Sequence, residues 1–185
     1  MITLVLLPIA LGGPPAAGWE VLADGQTRVA CTRAGAAPWC RATGRIAAPP
    51  ERVYALLDDI DGHARLYARI AESRELRPGL AHQVVSLPYP PSARDYVVNL
   101  RRLQDGADRV IAFESAPHPE IPITGLRLTA FEGEFRVGPG PAGDTVFSYL
   151  WQADLGPDIP SFALPIAWVT QGREIVGGLR EAAER

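Results

Sequence analysis

The segment Asp158-Ile-Pro-Ser-Phe-Ala-Leu-Pro-Ile-Ala-Trp-Val-Thr-Gln-Gly-Arg-Glu-Ile-Val-Gly-Gly-Leu-Arg-Glu-Ala-Ala-Glu-Arg185 carries more apolar surface than one helix face can hold. One stripe runs Phe162, Ile166, Val169, Val176, and a second runs Leu164, Trp168, Ile175, Leu179. Both follow i, i+3/i+4, i+7 spacing, and together they exceed the usual apolar arc of a surface helix. A long C-terminal helix of this kind needs broad, concave cover. The strands before it can supply that cover, and a rod held in a curved sheet leaves room between the two. Gly177-Gly178 costs about 1 kcal/mol per residue relative to Ala inside a helix. The pair reads either as a close approach to the sheet or as a frayed end.

Upstream of this helix the apolar period changes from 3.6 to 2. Phe131 and Phe135 alternate with Glu132, Glu134 and Arg136, while Phe147, Tyr149 and Trp151 alternate with Ser148 and Gln152. One sheet face is therefore aromatic and the other polar. Strands are expected at 72–77, 82–88, 94–103, 108–116, 125–137 and 144–154, with a hairpin turn at Asp105-Gly106. Nearer the N-terminus, 27–33 and 39–46 form a hairpin. Pro50 then suits the first position of a helix in which Val53, Leu56, Leu57 and Ile60 share one face. A short helical stretch, His63 to Ala71, follows. Two strands, two helices, about six antiparallel strands and a long helix make an α+β domain with a bent sheet.

The length of 185 residues suits one domain with a substantial core, and the net charge is −3. Every basic side chain is Arg, and the arginines are scattered. Without a basic run or basic helix, nucleic acid is not an expected partner.

Residues 1–18 read as an apolar leader. Met1–Leu11 is too short to span a bilayer but fits a signal h-region, and Ala16 and Gly18 satisfy the small-x-small rule for cleavage before Trp19. The alternative is an N-terminal element of the domain itself. Export to the periplasm or medium is expected, with a cytoplasmic location if the leader is not a signal peptide. Cys31 and Cys40 lie opposite each other if the hairpin turns at Gly35-Ala36. They read either as a disulfide, formed only in an oxidising compartment, or as two unpaired small core residues.

Several motifs fail on context. Gly138-Pro-Gly-Pro-Ala-Gly143 matches G-x-G-x-x-G, but a strand follows it where a dinucleotide site needs a helix. Asp58-Asp-Ile-Asp-Gly62 resembles the start of a calcium loop without its later ligands. His63, His82 and His118 lack zinc-ligand spacing, and no nucleophile elbow occurs. Neither a metal, a cofactor nor a catalytic residue is expected.

Leu87-Pro-Tyr-Pro-Pro-Ser-Ala-Arg-Asp-Tyr-Val-Val98 resembles the P-[YFW]-P-x-S-x-R-D-[YF]-V stretch of START domains, the lipid-transfer family of the helix-grip superfamily. Gly18-Trp19-Glu with Gly25 leading to Val29 is similar to that family's opening, and Asp154–Phe162 to its G-x-I-P-x-W/F approach to the last helix. The similarity spans residues 18–184, so the domain is taken as 19–185. The chain departs from the family at Leu66-Tyr67, where a Trp is usual.

The resemblance implies a bent antiparallel sheet wrapped around the C-terminal helix, enclosing a tunnel for one hydrophobic molecule. The loop 116–124 and the start of the last helix would gate it. Adjacent Arg94 and Asp95 point to opposite faces, so one of them faces the cavity; the other reading is a structural ion pair. Arg94 is the candidate polar contact. His63 lies near the tunnel wall in similar domains, whereas the sequence alone reads it as a surface residue. The candidate ligand-binding residues are Tyr96, Val98, Leu100, Phe131, Phe147, Tyr149, Trp151, Phe162, Ile166 and Val169. The expected function is non-catalytic binding and transfer of a lipid or other hydrophobic molecule by a monomer that touches membranes transiently. The rival is an aromatase/cyclase-type enzyme using an acid or base such as His82, Arg94 or Glu114.

Overall fold

The computed structural model describes residues 14–32, 37–87, 93–156 and 159–185. Most of the leader, the Gly35-Ala36 turn and the Pro88–Ser92 part of the family-like motif lie outside the described residues. Three strands open the domain: β1 (Trp19–Ala23), β2 (Thr27–Thr32) and β3 (Trp39–Ile46). Cys31 and Cys40 occupy directly paired positions on β2 and β3, with Cα atoms 4.1 Å apart, and are joined by a disulfide.

Helix α1 (Pro50–Asp58) starts on a proline whose fixed φ suits the first turn, and it buries Val53, Tyr54 and Leu57. A 3-10 turn, Ile60–Gly62, follows, with the Asp59 carboxylate accepting from the Gly62 N–H at 3.1 Å. Helix α2 (His63–Leu66) is one turn long and stops well short of the expected Ala71. The chain leaves it at Tyr67, which is extended and only 4% exposed. Burying that ring takes precedence over continuing the helix.

Seven further strands follow: β4 (Ile70–Arg77), β5 (Leu80–Val85), β6 (Arg94–Asp105), β7 (Asp108–Ser115), β8 (Leu126–Arg127), β9 (Phe131–Pro139) and β10 (Thr145–Ala153). They complete a ten-stranded sheet in the order β1-β2-β3-β10-β9-β7-β6-β5-β4, with β8 beside β6. Strand β10 joins the halves, pairing with β3 on one side and β9 on the other. The Gly138–Gly143 run connects β9 to β10 as a hairpin loop, and the β6–β7 turn falls at Asp105-Gly106.

The single strand expected over 125–137 is two. Strand β7 ends with Ser115 opposite Val98, which leaves the start of β6 open on that side. Strand β8 fills the gap as a parallel partner of Arg94 and Asp95, because buried backbone groups there need partners.

Behind this patch, on the outer face of β6, Asp95 is fully buried. It accepts from His82 Nε2 at 2.9 Å, from the Thr124 N–H at 3.1 Å and from Arg127 Nε. Burial pushes its carboxyl pKa up, but the hydrogen bonds from His82 and Arg127 outweigh this and hold it below the ordinary Asp value. The Asp58–Gly62 acids are spent on local structure: Asp58 bonds Arg102 Nε at 2.5 Å and Asp61 accepts from the Glu75 N–H at 2.7 Å. Among the described residues, no His/Cys/Asp/Glu group could hold a metal ion.

A 3-10 turn, Ser161–Ala163, leads into α3 (Leu164–Ala183). Its fully buried residues are Gly172, Val176, Leu179 and Ala183. Full burial is therefore confined to the helix from Gly172 onward, while Trp168 and Val169 pack partly buried against the core. Phe162 is 81% exposed and Ile166 69%, while Leu164, Trp168, Val169 and Ile175 are half-buried. A Cβ on Gly172 would lie 2.9 Å from Ala42 Cβ, 3.0 Å from Val29 Cγ2 and 3.2 Å from Trp151 Cη2, so the helix rests its backbone on β2, β3 and β10. Gly178 makes its close approach to the Leu66 carbonyl of α2, and not to the sheet, whereas a Cβ on Gly177 would meet open space.

These contacts separate the glycines by experiment. Gly177→Ala should stabilise the domain by about 0.5–1 kcal/mol through the gain in helix propensity. Gly172→Ala should cost about 1–3 kcal/mol by overpacking, with denaturant midpoints as the readout. Asp95→Asn should lower stability at neutral pH by about 3 kcal/mol, because it removes one partner from a buried ion pair. A carboxyl with a depressed folded pKa contributes stability above its unfolded pKa and loses it as pH falls through the folded value. The gap between wild type and Asp95→Asn should therefore narrow on acidification below about pH 4.

Candidate functional site: an aromatic cavity under the C-terminal helix

Between the inner face of the sheet and the first half of α3 lies a cavity of about 560 Å³. Strand alternation builds its floor. On β6 the inward residues Arg94, Tyr96, Val98 and Leu100 all line it, as do Ala81, Gln83 and Val85 on β5. Phe113, Phe131, Phe135 and Tyr149 continue the floor across β7, β9 and β10. Gly133 leaves room for this row, since a Cβ there would stand 2.7 Å from the Phe113 ring. Ala163, Ile166, Thr170, Gln171 and Ile175 of α3 form the roof, and Ile60, His63, Tyr67 and Ile70 form a side wall.

The rings touch in sequence. Centroids are 4.6 Å apart for Tyr96–Phe131, 4.8 Å for Phe131–Phe113, 5.4 Å for Phe113–Phe135, 4.9 Å for Phe135–Tyr149 and 4.4 Å for Tyr149–Trp151. Contacts at these separations add stabilisation beyond area burial and make a stiff apolar floor.

The polar groups of the wall are largely committed to one another. Tyr96 Oη donates to Gln83 Oε1 at 2.5 Å, and Gln83 Nε2 lies 2.6 Å from Ser73 Oγ and 3.0 Å from His63 Nδ1. His63 Nε2 donates to the Leu57 carbonyl at 2.9 Å. Burial lowers the His63 pKa, so the ring is neutral, with one nitrogen accepting and the other donating. Gln171 Nε2 donates to Tyr149 Oη at 2.9 Å, and Arg69 pairs with Glu174 at 2.7 Å. Arg94, only 1% exposed, donates from Nε to the Leu155 carbonyl at 2.8 Å. Burial pushes the phenols of Tyr67, Tyr96 and Tyr149 far above the ordinary Tyr value, so all three stay protonated.

Of the residues singled out from sequence, Tyr96, Val98, Leu100, Phe131, Tyr149, Ile166 and Arg94 line the cavity. Phe147, Trp151, Phe162 and Val169 do not. Phe147 and Trp151 have the correct strand face but lie in the packed core, Trp151 directly beneath Gly172. Phe162 points to solvent, and Val169 packs half-buried against the core. His63 is a buried wall residue, not a surface one, at 3% exposure. The loop 116–124 supplies no lining residue; it is tied to Asp95 and Arg127 instead. His82 and Glu114 also lie off the cavity. Sequence reasoning missed Tyr67, Gln83, Phe113 and Gln171. The alternation Ala81, Gln83, Val85 could have revealed Gln83.

No family model matches the chain. An uncharacterized protein of Pseudomonas aeruginosa is 26% identical over 139 residues, spanning 72% of this chain and 69% of that protein. Among solved structures, the STAR-related lipid transfer protein of Xanthomonas axonopodis (fragment 25–204) superposes with a TM-score of 0.79 at 20% identity, covering 91% of this chain and 100% of that one. Human STARD10 superposes at 0.77 with 19% identity, covering 90% and 73%. The Zhui aromatase/cyclase of Streptomyces sp. R1128 superposes at 0.54 with 21% identity, covering 78% and 92%. With a ten-stranded sheet held against a long C-terminal helix and this cavity between them, the chain has the helix-grip fold seen in these lipid-transfer structures.

Proposed function

We propose that the domain takes up one lipid or comparable hydrophobic molecule and carries it unchanged. The observation that carries this reading is the 560 Å³ aromatic cavity reaching the surface at Ile166, which lines it and is also 69% exposed. Leaving a membrane costs an acyl chain about 0.8 kcal/mol per methylene, or roughly 12 kcal/mol for a sixteen-carbon tail. An apolar pocket removes most of that barrier without chemistry. Phe162, next in the chain to the lining residue Ala163, is also exposed, at 81%. Two large apolar side chains in water at the mouth favour transient contact with a lipid surface.

An aromatase/cyclase-type enzyme on the same scaffold is the rival. It needs an acid or base aimed into the cavity. Both ring nitrogens of His63 are already engaged, Glu174 is held by Arg69, and neither His82 nor Glu114 lines the space. Arg94 does line it, but a guanidinium offers only hydrogen-bond donors and no acceptor that could take a proton from a substrate. These commitments favour the carrier. Working as an exported monomer also fits: the leader reads as a signal h-region, and the Cys31–Cys40 bond suits an oxidising compartment.

Native mass spectrometry of the purified protein, followed by lipid extraction, should find one hydrophobic molecule per chain, recovered chemically unaltered after incubation. A converted product would favour the enzyme. Phe162→Arg with Ile166→Arg should leave thermal stability unchanged yet slow lipid movement between vesicles about tenfold, by placing charge at the mouth. Transfer at the wild-type rate would remove that surface from the mechanism. Expressed with its leader in a bacterial host, the mature protein should begin at Trp19 and have a mass two hydrogens below that of the reduced chain.

A further inference from the structure

Two charged side chains of the cavity wall sit where the cavity meets water. Arg69, on the link from α2 to β4, and Glu174, on α3, both line it, yet their side chains are 34% and 36% exposed. Ala68 beside them lines the cavity and is exposed as well. The cavity therefore has a polar rim here, about 12 Å along α3 from the apolar opening at Ile166 by helical rise. The pairing at this rim is one-sided. Both Glu174 oxygens approach Arg69 Nε, at 2.8 Å and 2.7 Å. Among the described residues, no acceptor meets either terminal nitrogen of Arg69. A guanidinium presents its N–H groups in a rigid fork that matches a carboxylate. Here the outer edge of that fork is unspent, at the border of an apolar space.

Resting on the carrier reading above, we infer that Arg69 holds the carboxylate of a single-chain amphiphile, a long-chain fatty acid in the simplest case, with the tail lying over the aromatic floor. A charge-assisted fork contact is stronger than a neutral hydrogen bond. The rim also suits a charged head better than the interior does. There the head keeps part of its hydration, whereas a carboxylate drawn in to Arg94, which is 1% exposed, would lose nearly all of it. Size points the same way. At roughly 30 Å³ per water-sized group, 560 Å³ holds on the order of 20 non-hydrogen atoms. Palmitate is of that size, and a two-chain phospholipid far exceeds it.

The test compares three probes with one sixteen-carbon tail, palmitate, 1-hexadecanol and hexadecyltrimethylammonium, on wild type, Arg69→Gln and Glu174→Gln. Wild type should bind palmitate about tenfold more tightly than 1-hexadecanol, the low end for hydrogen bonds to a charged group because the rim is partly in water. High salt should shrink that advantage. Arg69→Gln should bring palmitate down to the level of 1-hexadecanol, whose own affinity stays put. Glu174→Gln should raise palmitate affinity about two- to fivefold by removing a like charge beside the head. An ion pair with only a structural role would move both variants in one direction. Arg69→Gln that keeps the palmitate preference overturns the inference, as does Glu174→Gln that fails to strengthen palmitate, or the cationic probe binding best. Should Arg69→Gln not fold, Glu174→Gln decides alone. Equal binding of palmitate and 1-hexadecanol by wild type removes the head site and leaves the carrier standing. Wild type that binds none of the probes, yet carries a hydrophobic molecule from its host, also overturns the head site alone; with nothing carried, the carrier reading falls with it.

Discussion

The architecture depends on how α3 is seated. Gly172 brings the helix backbone against Ala42, Val29 and Trp151, at separations that would leave a Cβ no more than 3.2 Å from any of them. From there to Ala183, the helix is fixed by Val176 and Leu179, both fully buried. Before Gly172, Ile166, Thr170 and Gln171 roof the cavity, while Trp168 and Val169 pack partly buried against the core. A rod packed along its whole length would give a sturdier protein with no vacancy. Here packing and cavity are two consequences of one placement of a small residue.

Within the vacancy, polarity is managed by self-satisfaction. The chain Tyr96–Gln83–His63–Leu57 passes donors to acceptors until nearly every group is spent. In a low-dielectric wall this costs little, whereas a single orphan costs much. Charge is handled differently on the two faces of β6. Arg94 is turned inward onto a carbonyl, and Asp95 outward into a net of His82, Arg127 and the Thr124 backbone. The outward net ties down the long loop before β9. It thereby keeps that loop clear of the cavity.

Much of this was legible in the chain. Alternation on β9 and β10 identified the inward face there, and the residues named on β6, Tyr96, Val98 and Leu100, line the cavity together with Phe131 and Tyr149. Helical periodicity identified α3 and its excess apolar surface. Where along those elements the cavity lies was not legible, because strand period reports a face and not a position on it. Phe147 and Trp151 were therefore grouped with lining residues, although both are packed into the core outside it. The α2 wall was hidden for another reason. Tyr67 leaves a four-residue helix in extended conformation, and local pattern cannot foresee that a tertiary contact will end a helix there. The break in 125–137 came from an open backbone edge on β6, a demand set by another strand's length.

The glycine seat also makes α3 a lever. Phe162 lies ten residues before the fulcrum at Gly172, about 15 Å at helical rise, and the contact of Gly178 with the Leu66 carbonyl braces the opposite arm. Pivoting by about 10° would swing the tip by roughly 2.5 Å on that arm length. That displacement approaches the width of a methylene chain, and it leaves the buried arm almost still. A doorway so built can widen without the hearth of the protein being disturbed.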